Sequence, residues 1–175
     1  MTDIYFFDTD CLSSFLLANQ EHILIELFTK RIVVPSFVYE ETMHKKELFA
    51  KIVELENEGH LIKRDIEYGT PEYKTYLYLT KSNENDMLIG KGEASAIAMA
   101  KHNNGILASN NFKDIAKYID EYNLKYTCTG DILIEAMNKS LIDEKQGNKI
   151  WKTMLDNGRF LPTKTFSLYL KTNNT

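Results

Sequence analysis

The chain has 175 residues, 43% of them hydrophobic and 26% charged, with a net charge of −4. That length supports one domain with a sizeable core, and the composition argues against disorder as the main state. The acidic balance excludes a whole-chain basic footprint for nucleic acid, although a carboxylate cluster offset locally by cations gives the same negative count.

Residues 4–7 are a continuous apolar run that stops at Asp8-Thr9-Asp10, as a strand buried on both faces of a parallel sheet would. Leu12, Phe15 and Leu16, then Ile23, Leu24, Leu27 and Phe28, recur at helical spacing. Ile32, Val33 and Val34 make a second strand, closed by Pro35. Residues 37–58 read as one long helix ended by Gly59, and 60–66 as a short strand or an extended connection. Pro71 suits a first helical position, and Tyr73, Tyr76, Leu77 and Leu79 suggest the helix. Residues 81–86 are a polar loop. Gly90-Lys91-Gly92 opens a helix with Ala94, Ile97, Ala98 and Ala100 at apolar positions.

A third strand is predicted at 106–108, a helix at 112–122 and a fourth strand at 126–128. Helices follow at 132–139 and 143–155, then a turn at Asp156-Asn157-Gly158 and a docking element at 160–170. Strands alternating with helices imply an α/β fold of three layers, with a mostly parallel sheet of four to five strands between helices. Residues 1–170 form a single domain, and 171–175 read as a frayed tail.

Two cysteines, Cys11 and Cys128, are too few for a disulfide framework and imply a reducing, cytoplasmic compartment. The histidines, His22, His44, His60 and His102, have no metal-ligand spacing. Acids interrupt the apolar N-terminus, which excludes a signal peptide, and no stretch approaches a membrane span. Small basic groups at Lys45-Lys46, Lys63-Arg64 and Lys113/Lys117 read as solvated faces.

In open parallel sheets, ligands bind beyond the carboxyl ends of the strands, so the polar residues there are the candidates. Asp8 follows the first strand directly; alone, it reads best as a turn or helix cap. Asp10 reads as a cap for the helix at Leu12. Glu40 and Glu41 cannot both face the sheet, since helical neighbours point about 100° apart. Glu41 shares a side with Val38 and is the inward choice if Val38 packs. Glu93 lies in the first turn of the Ala-rich helix, where the helix dipole alone would favour it. Ser109, Asn110, Asn111 and Asp114 follow the third strand as a turn and a helix start.

If these elements converge at one sheet edge, their carboxylates repel unless a cation joins them, and hard oxygen ligands select Mg²⁺ or Mn²⁺. Such an ion activates water for attack on a phosphodiester. Neither a nucleophilic Ser or Cys with a His base nor a P-loop is present.

At these residues the chain resembles a PIN domain, the fold of VapC-type toxin ribonucleases. The resemblance rests on FFDT at 6–9, PSFVYEE at 35–41, GKGEASAIAMA at 90–100, the strand and polar motif at 106–111, and YTCTGDILIEAMNKSLI at 126–142. Their order and spacing match over roughly residues 3–158, and the GEA helix is similar to that of a small bacterial and archaeal subgroup. The resemblance implies a metal-dependent endoribonuclease with Asp8, Glu41, Glu93 and Asn111 as catalytic residues. Asp8, Glu93, Asn111 and Asp114 would hold Mg²⁺ or Mn²⁺, with Thr9, Asp10, Ser109 and Asn110 in support. It also implies an RNA substrate, a small antitoxin partner and a homodimer, for which Tyr73, Tyr76 and Tyr78 offer a surface. Asn111 stands where the family usually has Asp, so the site would have one carboxylate fewer.

Two alternatives remain open. A degenerate PIN module would bind RNA or protein without cutting. A haloacid-dehalogenase-like phosphatase would use Asp8 as nucleophile and Asp10 as acid, with Lys125, Ser109 and Thr129-Gly130-Asp131 standing in for its later motifs.

Overall fold

In the computed structural model, which describes residues 3–81 and 89–173, five short strands form one sheet. They are β1 (Tyr5–Phe7), β2 (Ile32–Pro35), β3 (Leu61–Arg64), β4 (Ile106–Ala108) and β5 (Lys125–Thr127). Every pairing is parallel, in the order β3-β2-β1-β4-β5. Helices α1 (Thr9–Leu17) and α2 (Glu21–Phe28) link β1 to β2, and α3 (Ser36–Thr42) and α4 (Lys46–Asn57) link β2 to β3. Helices α5 (Pro71–Thr80) and α6 (Lys91–His102) lead to β4, and α7 (Phe112–Tyr122) leads to β5. The chain ends with α8 (Thr129–Asn138), α9 (Glu144–Asp156) and α10 (Phe166–Asn173).

Alternate strand residues point to opposite faces of the sheet. Phe7, Ile32, Val34 and Ala108 join one core with Phe15, Leu24, Leu133 and Trp151. Phe6, Val33 and Leu107 join a second core with Tyr76, Ile115 and the alanines of α6. Three layers result, with the parallel sheet in the middle, as the strand–helix alternation implies. Ala94, Ala96, Ala98 and Ala100 are fully buried, which lets α6 lie close against the central strands.

The structure corrects several expectations. Residues 37–58 are not one helix. The chain turns at Met43, His44 and Lys45, where Lys45 leaves helical geometry (φ −104, ψ 79). Thr42 Oγ1 bonds back to Tyr39 O at 2.9 Å, and Lys45 N closes a turn on Thr42 O at 2.8 Å. The break lets α3 bury Val38, Tyr39 and Thr42, while α4 buries Leu48, Ile52 and Leu55. One straight helix presents a single stripe and could not follow both surfaces. Residues 61–64 are a true edge strand. The fourth predicted strand lies one residue earlier, at Lys125–Thr127, and ends there because Cys128 caps α8.

Lys171, Thr172 and Asn173 continue α10, where a frayed tail is expected. Tyr76 is core and stacks on Phe37 at 4.8 Å, and Tyr73 packs beside it, so of the three tyrosines only Tyr78 is an open surface. The polar loop predicted at 81–86 lies outside the described residues apart from Lys81. Among the described residues, no helix is long and apolar enough to cross a membrane.

Helix α10 is seated on α9 through one close approach. A Cβ on Gly147 would lie 2.4 Å from Phe166 Cδ1, and Trp151 Nε1 also donates to Thr163 O at 2.8 Å. We expect Gly147→Ala to destabilise the protein by about 1–3 kcal/mol in urea melts, the usual cost of overpacking. Wild-type stability in that variant would mean that α10 is not held there.

Candidate metal centre

β1 pairs with β2 on one side and β4 on the other, so a crevice opens beyond the carboxyl ends of β1 and β4. Asp8 and Ser109 are the first residues past these two strands. Asp8 N donates to Ala108 O at 3.0 Å, which ties the two strand ends together. The Asp8 carboxylate caps α1, with Oδ1 accepting from Cys11 N at 2.7 Å, and the residue is only 3% exposed. The capping reading and the site reading thus fall on one side chain. Asp10, expected as the cap, lies instead in the first turn of α1 and projects outward.

The other acids arrive from separate elements. Glu93 sits in the first turn of α6, and its Oε1 is buried without a hydrogen-bond partner. Asn111 precedes α7; its Nδ2 donates to Asp114 Oδ2 at 2.7 Å, and its backbone N donates to Ser109 Oγ at 3.2 Å. Val38 is fully buried, and Glu41 is the glutamate of its pair that faces the crevice. Glu41 Oε1 accepts from Gly92 N at 2.8 Å, and Oε2 accepts from Thr9 Oγ1. A Cβ on Gly92 would stand 2.6 Å from Glu41 Oε2, so glycine is what admits the carboxylate there.

These side chains line a cavity of about 340 Å³, made by Asp8, Thr9, Asp10, Glu41, Lys45, Gly90, Glu93, Asn111 and Asp114. Ser109 and Asn110 do not line it. Ser109 is fully buried beneath Asp8, and Asn110 braces the wall by accepting from Thr129 N at 2.9 Å and donating to Ser14 Oγ at 3.2 Å. Lys45 is expected on a solvated face. It reaches the cavity because it lies in the turn between α3 and α4, and no local pattern signals that turn. Lys125, which a phosphatase reading needs beside Asp8, is at the opposite end of the sheet. It opens β5 level with Ile106 and Tyr5 and pairs with Asp3 at 2.8 Å.

Electrostatics follow from this placement. Burial pushes the Asp8 carboxyl up to about 7, with the charges of Asp10 and Glu41 adding to the rise. Hydrogen bonds from Ser109 and Cys11 pull the other way. Burial, then Asp8, Asp114 and Asp10, push Glu93 up to about 8, against a hydrogen bond from Asn111. Asp8, Glu93 and Asp114 each stand at a helix N-terminus, whose partial positive charge partly offsets this crowding.

A PIN domain family model matches residues 4–175. The chain belongs to the PIN domain family. Among solved structures, VapBC2 from Rickettsia felis bound to a DNA fragment from their promoter contains a similar chain, with a TM-score of 0.51 and 20% identity. The match covers 71% of this PIN domain chain and 98% of that chain. At that identity the likeness speaks for the fold. None of the curated proteins matches.

Among the described residues, no three His, Cys, Asp or Glu side chains are drawn together as a ready cation cage. Glu41 is occupied by Gly92 and Thr9, Asp114 by Asn111 Nδ2, and Asp10 faces Arg159, so the groups that remain are two acids and an amide oxygen: Asp8, Glu93 and Asn111. They suit a hard divalent cation in three respects. All are oxygen donors, Glu93 Oε1 is an orphaned buried acceptor, and both acids are charged only at a cost that a cation would relieve.

A pH dependence follows. A carboxyl raised in the fold holds its proton where the unfolded chain has lost it. Folding is then unhindered at about pH 4, and stability falls as the pH rises towards about 8 through the two raised values. Without divalent cations, Tm should be lower at pH 8 than at pH 6. The Asp8→Asn, Glu93→Gln double variant should flatten that slope, since Asn still caps a helix. An equal slope in both proteins would show that the acids are not strained.

Proposed function

We propose that this PIN domain is an endoribonuclease dependent on Mg²⁺ or Mn²⁺, acting as the toxin of a toxin–antitoxin pair. The observation that carries the reading is the pair of buried, up-shifted carboxyls, Asp8 and Glu93, facing one cavity with Asn111 and Asp114. Asp8, Glu93 and the carbonyl oxygen of Asn111 would hold the cation, with Asp114 beside them on Asn111 Nδ2. When bound, such an ion lowers the pKa of a water and offsets charge on the phosphodiester.

The chain's own groups do the positioning. Cys11 N fixes the Asp8 carboxylate, and Gly92 N with Thr9 Oγ1 fixes Glu41 at the wall. Glu41 is thereby placed to orient a water or the RNA 2′-hydroxyl by hydrogen bonding. Lys45 supplies positive charge at the rim of an otherwise acidic cavity. Asn111 lends its amide to Asp114 and Glu93 and adds no charge, which reduces mutual repulsion and also the pull on a cation. The likeness to VapBC2 supports an antitoxin partner, and a homodimer is part of the same reading.

A second reading is favoured by Asn111 alone: a PIN module that has lost a family acid and binds without cutting. Three measurements separate the two. Mn²⁺ at about 100 times its Kd should stabilise the wild type by about 2.7 kcal/mol. Asp8→Asn and Glu93→Gln should abolish both that shift and EDTA-sensitive cleavage of single-stranded RNA. Asn111→Asp should strengthen the Mn²⁺ shift, because it restores a charge. Cleavage that survives EDTA, or no thermal shift in millimolar Mn²⁺, would sink the nuclease reading.

A further inference from the structure

The carboxylate cavity does not end at Asp10 and Asn111. Those two residues also line a second hollow of about 460 Å³, walled by Phe112, Lys113, Arg159 and Phe160. Phe112 and Phe160 in turn line a third hollow of about 440 Å³ that runs to Tyr126. The three share walls and make one trough leading away from Asp8.

Phe160 is 94% exposed and Phe112 57%, so two aromatic faces stand open to solvent along this trough. Phe160 is not on a loose loop. Asn157 Nδ2 donates to Leu17 O at 2.7 Å, Arg159 N to Met154 O at 3.0 Å, and Trp151 Nε1 holds Thr163 O beyond it. The backbone on each side is therefore fixed, and the ring is presented rather than left to collapse. Phe112 packs against Tyr126 at 5.8 Å between ring centres, which fixes its position in turn.

Two basic residues line the same hollow as these rings. Arg159 is mostly buried; one amino nitrogen donates to Ser13 Oγ at 2.9 Å, its Nε has no partner, and Asp10 is 3.8 Å away. Its guanidinium is pinned in place, with Nε out of reach of solvent and its charge already facing Asp10. Lys113 is exposed on the same wall. Asp10 shares this wall and pairs with Arg159, and Asp131 lines the third hollow, so the positive charge offered to an anion here is that of Lys113. Exposed rings with a cation nearby are what a single nucleic-acid strand needs, with bases stacked on the rings and a phosphate on the ammonium group. A duplex keeps its bases stacked on one another and offers none to such rings.

We infer that this trough is the path of the substrate strand, with Phe160 and Phe112 stacking unpaired bases, Lys113 carrying an adjoining phosphate and Arg159 bracing the wall. The inference rests on the ribonuclease reading for its choice of RNA, and what it adds is the set of residues that would hold the strand.

The test is binding of a labelled single-stranded oligoribonucleotide by fluorescence anisotropy in EDTA, where cation-dependent cleavage is silent. Phe160→Ala should weaken binding about tenfold and Phe160→Tyr should retain it, because stacking needs only a ring face. Lys113→Ala should reduce the slope of log K against log salt by about 0.7, the value of one phosphate contact on a single strand. The same sequence as a duplex should bind at least tenfold more weakly. No binding by the wild type, equal binding of duplex, or Phe160→Ala within twofold of wild type would overturn the inference and leave the trough to a protein partner. EDTA-sensitive cleavage that persists with Phe160→Ala unaffected would overturn the trough alone. Binding that depends on Phe160 in a protein without cation-dependent cleavage would overturn the nuclease reading alone.

Discussion

Asp8 is a carboxylate held almost out of water at the point where the order of the parallel strands reverses. Its surroundings oppose its charge by burial and by neighbouring acids, and support it only through the Cys11 amide and Ser109. Such a group is tolerated because it also caps α1, so removing it from the fold would leave a helix end unsatisfied. The same crevice brings in the N-termini of α6 and α7, each with an acid in its first turn. Crowding of negative charge is therefore built into the topology, and a cation is the simplest relief for it.

Around this strained pair, the other polar groups divide their tasks. Glu41 is fixed by an amide that only a glycine can expose at that distance. Asn111 bridges acids that a further carboxylate would repel. Asn110 is drawn away from the cavity and joins the loop after β4 to the start of α8. Short polar motifs that look equivalent in the sequence thus do different work, because the backbone turns between them.

The trough beyond the cavity joins segments far apart in the chain. Phe112 and Lys113 open α7, while Arg159 and Phe160 follow α9. Ser13 on α1 and the Thr163 carbonyl beyond the turn hold the later segment in place. Exposed rings and a lysine are thereby set side by side from segments that the sequence keeps apart. Whole-chain charge describes solubility and long-range steering, and it does not describe the sign at one wall.

Much of the fold was legible in the sequence, because buried parallel strands must be short apolar runs and the helices between them must show a 3.6-residue stripe. The runs at Phe6, Val33 and Leu107, and the alanines of α6, gave the layers and the order of the chain. Val38 even selected Glu41 over Glu40, since two residues three apart on a helix share a face. The turn at Lys45 was not legible: no Gly or Pro marks it, and it exists because α3 and α4 must follow different surfaces. Nor was the helical course of Lys171 to Asn173, which depends on Gly147 admitting Phe166.

At the candidate site the sequence determined which acids follow which strands. Only the tertiary structure decided that Asp8 and Glu93 are strained, that Glu41 is already engaged, and that Arg159 lies beside Asp10. Charge interactions depend on distance and burial, and both are set by contacts between residues that the chain order keeps apart.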